Sequence, residues 1–357
     1  MPTKRPLKIL NIVGARPNFM KMAALYAAYR KHPQEIIPIL VNTRQHADPK
    51  MSDVFLKSLD LPQPEYDAII DIESVIKKET PDIVLVVGDV NSTLAGAKAA
   101  QKCGVPVAHV ESGLRSGDQT MPEERNRIAV DKISQWLFVT EQSGMDNLKK
   151  EGLDTSHAHL VGNVMIDTLI RMMPQIDASP AYQTISDPKL KYAVMTMHRP
   201  ANVDTKNGLK SIFEVIHIVA KNNLLVVFPI HPRTLNNVEA EPELKKQLEQ
   251  TKNLIPSGPM PYIDFMNVVK HATVVLTDSG GIQEEAAYLK KPTITLRDST
   301  ERPSTVDCGA NHICSLSKLP LIEKTLKEIL ADSNIKIADV PFNDGQAADR
   351  IVDILLS

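Results

Sequence analysis

The residues most suggestive of chemistry form one glycine-containing stretch, Thr277-Asp278-Ser279-Gly280-Gly281-Ile282-Gln283-Glu284-Glu285-Ala286. The small and β-branched residues before it predict a buried strand, and the apolar pattern after it predicts a helix. The glycines permit a tight turn and the close approach of a ligand. Ser279 and Gly280 would then present backbone N–H groups at a helix N-terminus, an arrangement that binds phosphate.

Two further residues extend this phosphate hypothesis. Glu285 lies one helical turn into the predicted helix, where its carboxylate could reach the sugar hydroxyls of a nucleotide. Arg302, within Thr300-Glu301-Arg302-Pro303, supplies a planar guanidinium that matches phosphate oxygens. Without these residues, the Ser-Gly-Gly turn alone would fit an ordinary well-capped strand-to-helix turn equally well.

A second group of candidates is rich in carboxylates and lies in the first half of the chain: Asp89, Glu111, Glu123 and Glu124. Carboxylates held close together shift one another's pKa values and can serve as acid and base. Glu124 is the weaker candidate of the adjacent pair, because neighbours on a helix point in different directions. A negative charge in the first turn also simply favours the helix dipole.

Polar residues follow several predicted strands at the point where each strand ends. They are Gly14-Ala15-Arg16-Pro17 with Lys21, Gly88-Asp89, Glu111 after His109, His198-Arg199, and His231-Pro232-Arg233. Ligands of open parallel sheets bind beyond the carboxyl ends of the strands. Any one of these residues could be a strand-end cap, but their repetition in both halves of the chain predicts one cleft between two domains.

The elements that must position these residues alternate between strand and helix, which predicts α/β domains with parallel sheets. Two Rossmann-like domains are expected, at residues 1–173 with most of the carboxylates and at 189–345 with the phosphate-binding turn. The segment Pro174–Pro188 contains three prolines and no periodicity, and is predicted as the linker. The C-terminal helix, within 346–357, is expected to pack back on the first domain.

The strands are predicted from buried apolar runs. In the first half they are Leu7–Val13, Ile36–Val41, Ile83–Val87, Pro106–Val110, Trp136–Val139 and His159–Val161. In the second half they are Tyr192–Met197, Leu224–Pro229, Thr273–Thr277 and Pro292–Leu296.

Composition narrows the function classes. The chain has 357 residues, which favours two domains, and a net charge of −2, which gives no broad cationic surface for nucleic acid. Its three cysteines show no CxxC spacing, which argues against a disulfide framework or a zinc site and suits a reducing cytoplasm. The sequence has no apolar run long enough for a signal peptide or a membrane span, so a cytoplasmic protein is expected.

The absence of several known sequence motifs excludes further function classes. The sequence has no GxGxxG after a predicted strand, no GxxxxGK[ST] and no HExxH. A dinucleotide redox cofactor, a P-loop kinase and a catalytic zinc are therefore not expected. What remains is a nucleotide-sugar protein that performs acid–base chemistry with no cofactor and no metal.

Spaced motifs run through nearly the whole chain in one order: Gly14-Ala15-Arg16-Pro17, Gln45-His46, Val87-Gly88-Asp89-Val90-Asn91-Ser92-Thr93, His109-Val110-Glu111-Ser112-Gly113-Leu114-Arg115-Ser116, Met121-Pro122-Glu123-Glu124-Arg125-Asn126-Arg127, Val161-Gly162-Asn163, His198-Arg199-Pro200, His231-Pro232-Arg233, Thr277 to Ala286, and Thr300 to Pro303. With these motifs the chain resembles the non-hydrolysing UDP-N-acetylglucosamine 2-epimerases. The resemblance implies paired Rossmann-like domains in the arrangement of the two-domain GT-B glycosyltransferases, with the active site in the inter-domain cleft.

The resemblance also implies an activity, the interconversion of UDP-GlcNAc and UDP-ManNAc by elimination of UDP to 2-acetamidoglucal and its re-addition. Carried over by motif position, the catalytic candidates are Asp89, Glu111, Glu123 and His198. The candidates for binding UDP are Arg16, His231, Ser279, Gly280, Gly281, Glu285 and Arg302, and Lys21 would lie near the reacting sugar or phosphate. We also expect a homodimer.

Two departures from the family pattern concern a regulatory second UDP-GlcNAc site found in some bacterial members. The connection at Glu65–Ala68 is shorter than in the family, and Ala201 stands where the family has glutamate. Gln45, His46 and Arg199 are the candidates for such a site. We therefore expect weak or absent dependence on an activator.

Three alternatives stay open at this point. A hydrolysing epimerase would release free ManNAc and UDP. A glycosyltransferase would share the diphosphate-binding half but would not need the carboxylates of the first domain. A UDP-sugar sensor would bind without turnover.

Overall fold

The computed structural model describes residues 5–45, 56–67, 71–185, 190–332 and 335–357. The chain divides into two compact units: unit 1 comprises residues 1–170 with 341–357, and unit 2 comprises residues 171–340. Each unit contains one parallel sheet connected through helices. This architecture confirms the predicted fold class of two α/β domains with parallel sheets.

Unit 1 is built on seven parallel strands. They are β1 (Leu7–Val13), β2 (Ile36–Asn42), β3 (Tyr66–Asp67), β4 (Ile83–Val87), β5 (Val107–Ser112), β6 (Trp136–Val139) and β7 (Ala158–Leu160). Their order in the sheet is β3-β2-β1-β4-β5-β6-β7. Strand β4 reads Ile-Val-Leu-Val-Val and is buried at every residue, as expected for a central parallel strand. The strand order reverses between β1 and β4, and ligands bind at such a switch point in doubly wound sheets.

Helices connect these strands. They are α1 (Arg16–Tyr29), α2 (Ile72–Glu79), α3 (Asn91–Lys102), α4 (Pro122–Ile133) and α5 (Gln142–Lys150), and α6 (Val164–Ala178) follows the last strand, β7. Proline in the first turn starts α1 and α4, at Pro17 and Pro122, where its fixed φ suits the helix and its missing N–H costs nothing. Helix α1 begins shortly after β1 ends, and α3 begins shortly after β4 ends. The first turns of both helices therefore lie at the carboxyl edge of the sheet.

Unit 2 repeats the architecture with six parallel strands. They are β8 (Tyr192–Thr196), β9 (Leu225–Pro229), β10 (Leu254–Ser257), β11 (Val274–Thr277), β12 (Thr293–Thr295) and β13 (Asn311–Ile313). Their order is β10-β9-β8-β11-β12-β13. The order reverses between β8 and β11, so the turn after β11 lies at the switch point of this sheet. This turn is the Ser279-Gly280-Gly281 segment.

The remaining helices follow in chain order. They are α7 (Ala181–Ile185), α8 (Pro200–Val203), α9 (Lys206–Lys221), α10 (Pro232–Glu239), α11 (Pro242–Gln250), α12 (Tyr262–His271), α13 (Gly280–Tyr288), α14 (Pro303–Asp307), α15 (Leu319–Ala331) and α16 (Ala347–Leu356). Helix α16 belongs to unit 1 and packs on α1. None of the helices in the described ranges is long and apolar enough to cross a membrane.

The linker prediction for Pro174–Pro188 was wrong over its described part. Helix α6 continues through Pro174 to Ala178, and α7 follows after a short break. Tertiary contacts outweigh the cost of a proline inside the helix. Ile176 is fully buried, and its carbonyl accepts a 2.8 Å hydrogen bond from the Asn267 side chain. Residues 186–189 lie outside the described ranges.

Candidate active site

In unit 1 the first turn of α1 is tied to two strand ends. The Asn18 amide oxygen accepts hydrogen bonds from the backbone N–H groups of Gly14 and Ala15, at 3.2 and 3.1 Å. Its amide nitrogen donates to the carbonyl of Val87, the last residue of β4, at 2.9 Å. A Cβ added at Gly14 would lie 2.6 Å from the Cβ of Ser92, so a side chain at this position would collide with Ser92. These contacts hold Arg16 at the carboxyl edge of the sheet.

The central feature of unit 1 is a buried ion pair between Lys21 and Glu111. The Lys21 Nζ lies 2.5 Å from Glu111 Oε2, and the two side chains are 7% and 3% exposed. A Cβ added at Gly88 would lie 2.7 Å from the same Nζ, and Gly88 has φ +70°. The positive φ favours glycine at this position, and the Lys21 ammonium lies close to the end of β4. The ends of β4 and β5 and the first helix thus meet around one ammonium group.

The backbone at Glu111 is strained. Glu111 has φ 76°, in the left-handed region that non-glycine residues rarely occupy, and the pairing of β5 with β6 shifts register between Val110 and Ser112. Strain of this kind costs about 1–3 kcal/mol and is concentrated at functional sites. It turns the Glu111 carboxylate toward Lys21.

Asp89 is held beside this pair by helix α4. The Arg127 guanidinium pairs with the Asp89 carboxylate, and the Asn126 amide donates to the Asp89 carbonyl at 2.9 Å. Arg127 also pairs with Glu124, 2.8 Å away. Arg127 is buried, so its cation balances both carboxylates in a poorly solvated place. Asp89 itself remains partly accessible, with 22% of its side chain exposed.

The adjacent acids Glu123 and Glu124 differ in their surroundings. Glu123 is exposed in the first turn of α4, whereas Glu124 is 2% exposed. The Glu124 carboxylate accepts 3.0 Å hydrogen bonds from the N–H groups of Ser116 and Gly117. Glu124 therefore fixes the turn after β5, which agrees with its weaker candidacy for acid–base chemistry.

In unit 2 the Ser279-Gly280-Gly281 turn begins helix α13. Ser279 is the N-cap residue, and its N–H donates to the Thr277 hydroxyl at 3.0 Å. A Cβ added at Gly280 would lie 2.6 Å from Glu301 Oε1. The backbone of the turn is thus packed closely against a second segment, and the helix N-terminus carries the positive end of its dipole. This arrangement suits an anion.

Arg302 is held beside that turn by one of the acids of the same motif. Its Nε lies 2.8 Å from Glu284 Oε1, and the residue is 5% exposed. The next acid, Glu285, accepts a 2.8 Å hydrogen bond from the Tyr262 hydroxyl. The acidic pair is therefore divided: Glu284 orients Arg302, and Glu285 is oriented by Tyr262.

Glu301 joins a second group of cations. It pairs with Arg297 at 2.8 Å and with Arg199 at 3.5 Å. Burial lowers the pKa of Arg297 below its ordinary value, and the charge of Glu301 opposes that change. Together with Arg302, these residues place three guanidinium groups in this region, and a guanidinium group matches the oxygens of a diphosphate.

Gln283 connects the turn with the Arg302 segment and was not among the predicted site residues. It is fully buried; its amide oxygen accepts from Thr300 at 2.6 Å and from Asn311 at 2.8 Å, and its nitrogen donates to the Ser279 carbonyl at 3.1 Å. Its position in the first turn of α13 was the available signal, but sequence does not show which way that side chain points.

His198 and His231 lie near each other at the ends of β8 and β9, with ring centroids 5.9 Å apart. Buried Asp278 lies 3.2 Å from His198 Nδ1 and accepts the Arg199 N–H at 2.9 Å. Burial would raise the pKa of Asp278, but the hydrogen bond and charge of His198 outweigh it and hold the pKa below its usual value. The ring of His198 is therefore fixed by a carboxylate.

His231 is the N-cap of α10, and its Nδ1 accepts the Arg233 N–H at 3.2 Å. In a neutral ring this places the proton on Nε2, which then is a donor suited to a phosphate oxygen.

The candidates for a second site belong to different units. Gln45 accepts the Ser92 N–H at 2.9 Å in unit 1, and Arg199 donates to the Asp278 carbonyl at 2.8 Å in unit 2. His46 and Ala68 lie outside the described residues. The regulatory site and the reduced dependence on an activator stay predictions, as does the location of the active site between the domains.

A model of the family described as UDP-N-acetylglucosamine 2-epimerase matches residues 28–356. The chain belongs to this family. Family membership agrees with the resemblance of its motifs and shows an epimerase rather than a glycosyltransferase.

Individual family members match over almost their whole length. The UDP-N-acetylglucosamine 2-epimerase of Methanocaldococcus jannaschii is 37% identical and is covered over 99% of its length by 98% of this chain. The UDP-2,3-diacetamido-2,3-dideoxy-D-glucuronate 2-epimerase of Pseudomonas aeruginosa is also 37% identical, with the same coverage. A crystal structure of the M. jannaschii epimerase in complex with UDP-GlcNAc and UDP superposes with a TM-score of 0.89, covering 98% of this chain and 99% of that one.

Proposed function

We propose that the protein interconverts UDP-GlcNAc and UDP-ManNAc by epimerisation at C2 without net hydrolysis. The observation that carries the proposal is the buried Lys21–Glu111 pair beside Asp89 in a chain that belongs to the epimerase family. The diphosphate-suited group around Arg302 in unit 2 supports it, and so does the M. jannaschii relative, whose structure contains UDP-GlcNAc and UDP.

The proposed reaction is an anti elimination followed by re-addition. A carboxylate removes the C2 proton, the C–H electron pair forms the C1=C2 bond of 2-acetamidoglucal, and the C1–O bond breaks to release UDP. The C2 hydrogen is not acidic, because no carbonyl lies beside it, so stabilisation of the departing diphosphate must assist its removal. Protonation of C2 on the other face and return of UDP to C1 then give the epimer.

The side chains divide into two roles in this proposal. Asp89, Glu111, Glu123 and His198 are the candidate acids and bases, and Lys21 stabilises charge near the reacting atoms. The residues proposed to hold UDP are Arg16, His231, Ser279, Gly280, Gly281, Glu285 and Arg302. Glu111 pairs with Lys21 and Asp89 pairs with Arg127, so each of these two candidate bases lies against a cation.

The deciding experiment incubates the purified protein with UDP-GlcNAc alone in D2O and follows the reaction by NMR. Elimination and re-addition should give UDP-ManNAc that carries deuterium at C2. Free ManNAc together with UDP would indicate the hydrolysing reaction instead. Product that keeps the substrate's own hydrogen at C2 would refute the mechanism, and binding without any product would favour a sensor.

A second candidate substrate is UDP-2,3-diacetamido-2,3-dideoxy-D-glucuronate. The P. aeruginosa epimerase named for it is as similar to this chain, in identity and coverage, as the M. jannaschii enzyme. The chemistry at C2 would be the same, and only recognition of the sugar substituents would differ. Comparing kcat/KM for the two nucleotide sugars under one set of conditions decides between them.

We further propose a homodimer located in the cytoplasm. The location is supported by three free cysteines, of which Cys308 and Cys314 are buried. Light scattering on the purified protein tests the dimer, and fractionation of cells tests the location.

A further inference from the structure

Asp131 is a buried carboxylate on α4 that contacts the strained end of β5 on both sides of Glu111. The residue is 1% exposed. Its Oδ1 lies 2.7 Å from His109 Nδ1, and its Oδ2 accepts the Gly113 N–H at 3.1 Å. His109 and Gly113 stand two residues before and two residues after Glu111. One carboxylate therefore restrains the chain on both sides of Glu111, through the ring of His109 and the N–H of Gly113.

The contacts of Asp131 with His109 and Gly113 stabilise the left-handed backbone conformation of Glu111. A non-glycine residue at φ 76° relaxes unless the surrounding structure over-determines its conformation. The Arg115 guanidinium adds a 2.8 Å contact to Asp131 Oδ2 and extends the attachment past Gly113. Burial alone would raise the pKa of Asp131, but His109 and Arg115 outweigh it and hold the pKa below its usual value. Asp131 therefore acts as an anion at neutral pH.

His109 connects Asp131 to the turn after β4, which contains Asp89. The ring is fully buried, and its Nε2 lies 2.8 Å from the Gly88 carbonyl oxygen. The ring therefore lies between the carboxylate of Asp131 and the carbonyl of Gly88 and connects the two. A second link runs the same way, because the Gly88 N–H donates to the Val110 carbonyl at 3.0 Å.

We propose that Asp131 and His109 are positioning residues that set the separation of Glu111 and Asp89 for the proton transfers at C2. The chain of contacts runs from Gly113 through Asp131 and His109 to Gly88, and it spans both carboxylate-bearing segments. Neither residue needs to touch the substrate for this role. The proposal rests on the proposed epimerase function.

The substitution Asp131→Asn tests the positioning role of Asp131 and His109, because the side chain keeps almost the same shape and loses its charge. The amide carries no charge and offers one acceptor oxygen in place of two, so it cannot accept from His109 on one side while it also accepts from Gly113 and Arg115 on the other. Misplacement of the reacting groups by about 1 Å can cost about 100-fold in rate. We expect kcat per UDP-binding site to fall about 100-fold, with KM for UDP-GlcNAc and affinity for UDP unchanged, because only the geometry for proton transfer is lost.

Asp167→Asn is the matched control. Asp167 is also a buried aspartate of unit 1 that accepts a backbone N–H, from Ala348 at 2.7 Å, but it lies on α6 and holds α16. Its variant should keep the wild-type kcat. His109→Gln, which can donate to only one of the two acceptors in a single orientation, should reproduce the kcat loss of Asp131→Asn. It also provides the measurement if Asp131→Asn fails to fold.

The outcomes separate the two proposals. If neither wild type nor Asp167→Asn epimerises a nucleotide sugar, the proposed function fails. If wild type turns over and Asp131→Asn or His109→Gln keeps the wild-type kcat per UDP-binding site, the positioning role is refuted. A loss confined to the number of UDP-binding sites, with kcat per site unchanged, likewise shows a purely structural role and overturns the proposal.

Discussion

The ammonium of Lys21 and the carboxylate of Glu111 lie 2.5 Å apart with almost no access to water. Burying two charges is costly, and their attraction offsets this only while both partners are present. The pair is therefore unlike a surface ion pair, whose net contribution is about 0–1 kcal/mol. A buried pair of this kind supports the proposal that Lys21 and Glu111 take part in the reaction.

The first prediction separates stability from activity at this pair. Lys21→Met leaves Glu111 as an uncompensated buried charge and should lower the free energy of unfolding by about 3–5 kcal/mol. Adding Glu111→Gln removes that charge and should restore most of the loss, while epimerisation stays reduced at least about 100-fold. The single tryptophan, Trp136, lies in unit 1, so its fluorescence in a urea titration reports unfolding of this unit.

Two results would contradict this prediction. A double variant that is as unstable as Lys21→Met would mean that packing, not charge, connects the two side chains. A double variant with wild-type activity would remove both residues from the chemistry.

The second prediction concerns the Arg302 guanidinium. Arg302→Lys keeps the positive charge but loses the planar fork that Glu284 orients. UDP binding, measured by calorimetry, should weaken by about 1.5–3 kcal/mol, the range of a hydrogen bond to a charged group. Lys206→Ala serves as control, because it removes an exposed cation of unit 2 that pairs with Glu241 at 2.6 Å. Equal UDP affinity of Arg302→Lys and wild type would exclude Arg302 from the UDP site.

Much of this framework could be predicted because parallel strands have a simple signature. Buried apolar runs such as Ile83–Val87 and Trp136–Val139 have in the structure the bounds that the sequence indicated. Chemistry-bearing residues that follow such runs must lie at one edge of a sheet. Asp89 follows β4, and Glu111 lies among the last residues of the neighbouring strand β5, so both belong to the same edge of the sheet.

The parts that could not be predicted depend on tertiary contacts. Pro174 indicated a linker, yet burial of Ile176 and the bond from Asn267 keep the helix continuous. Strands β10 and β13 were missed because they are short and their apolar character is weak. Asp131 resembled an ordinary helical acid, and only the structure shows its carboxylate between His109 and Gly113.

The third prediction tests the close packing of the phosphate-suited turn. Gly280→Ala would place a methyl group 2.6 Å from Glu301 Oε1 and displace that carboxylate from its contacts with Arg297 and Arg199. We expect weaker UDP binding with the fold retained. Gly258→Ala is the matched control, because an added Cβ there meets nothing within 4 Å. If the two variants bind UDP equally, the turn has more room than its geometry indicates.

The last prediction concerns Asp167, whose carboxylate accepts the Ala348 N–H at the start of the C-terminal helix. Burial raises its pKa to about 6, although hydrogen bonds from Ala348 and Ala347 oppose the change. In the unfolded chain the group returns to its ordinary value of 3.8. Between these two values the folded state binds more protons than the unfolded state, so the contribution to stability is present at low pH and is lost as the pH rises through about 6.

From pH 5 to pH 7.5 this group should remove about 1 kcal/mol from the free energy of unfolding, by the linkage relation. Asp167→Asn does not titrate, so its stability should decline less over that interval by the same amount. Urea titrations followed by Trp136 fluorescence at both pH values measure the difference. Asp60→Asn is the control, because Asp60 is an exposed carboxylate of unit 1 that pairs with Arg30. Parallel pH dependence in wild type and Asp167→Asn would show that Asp167 titrates with the same pKa in the folded and unfolded chain.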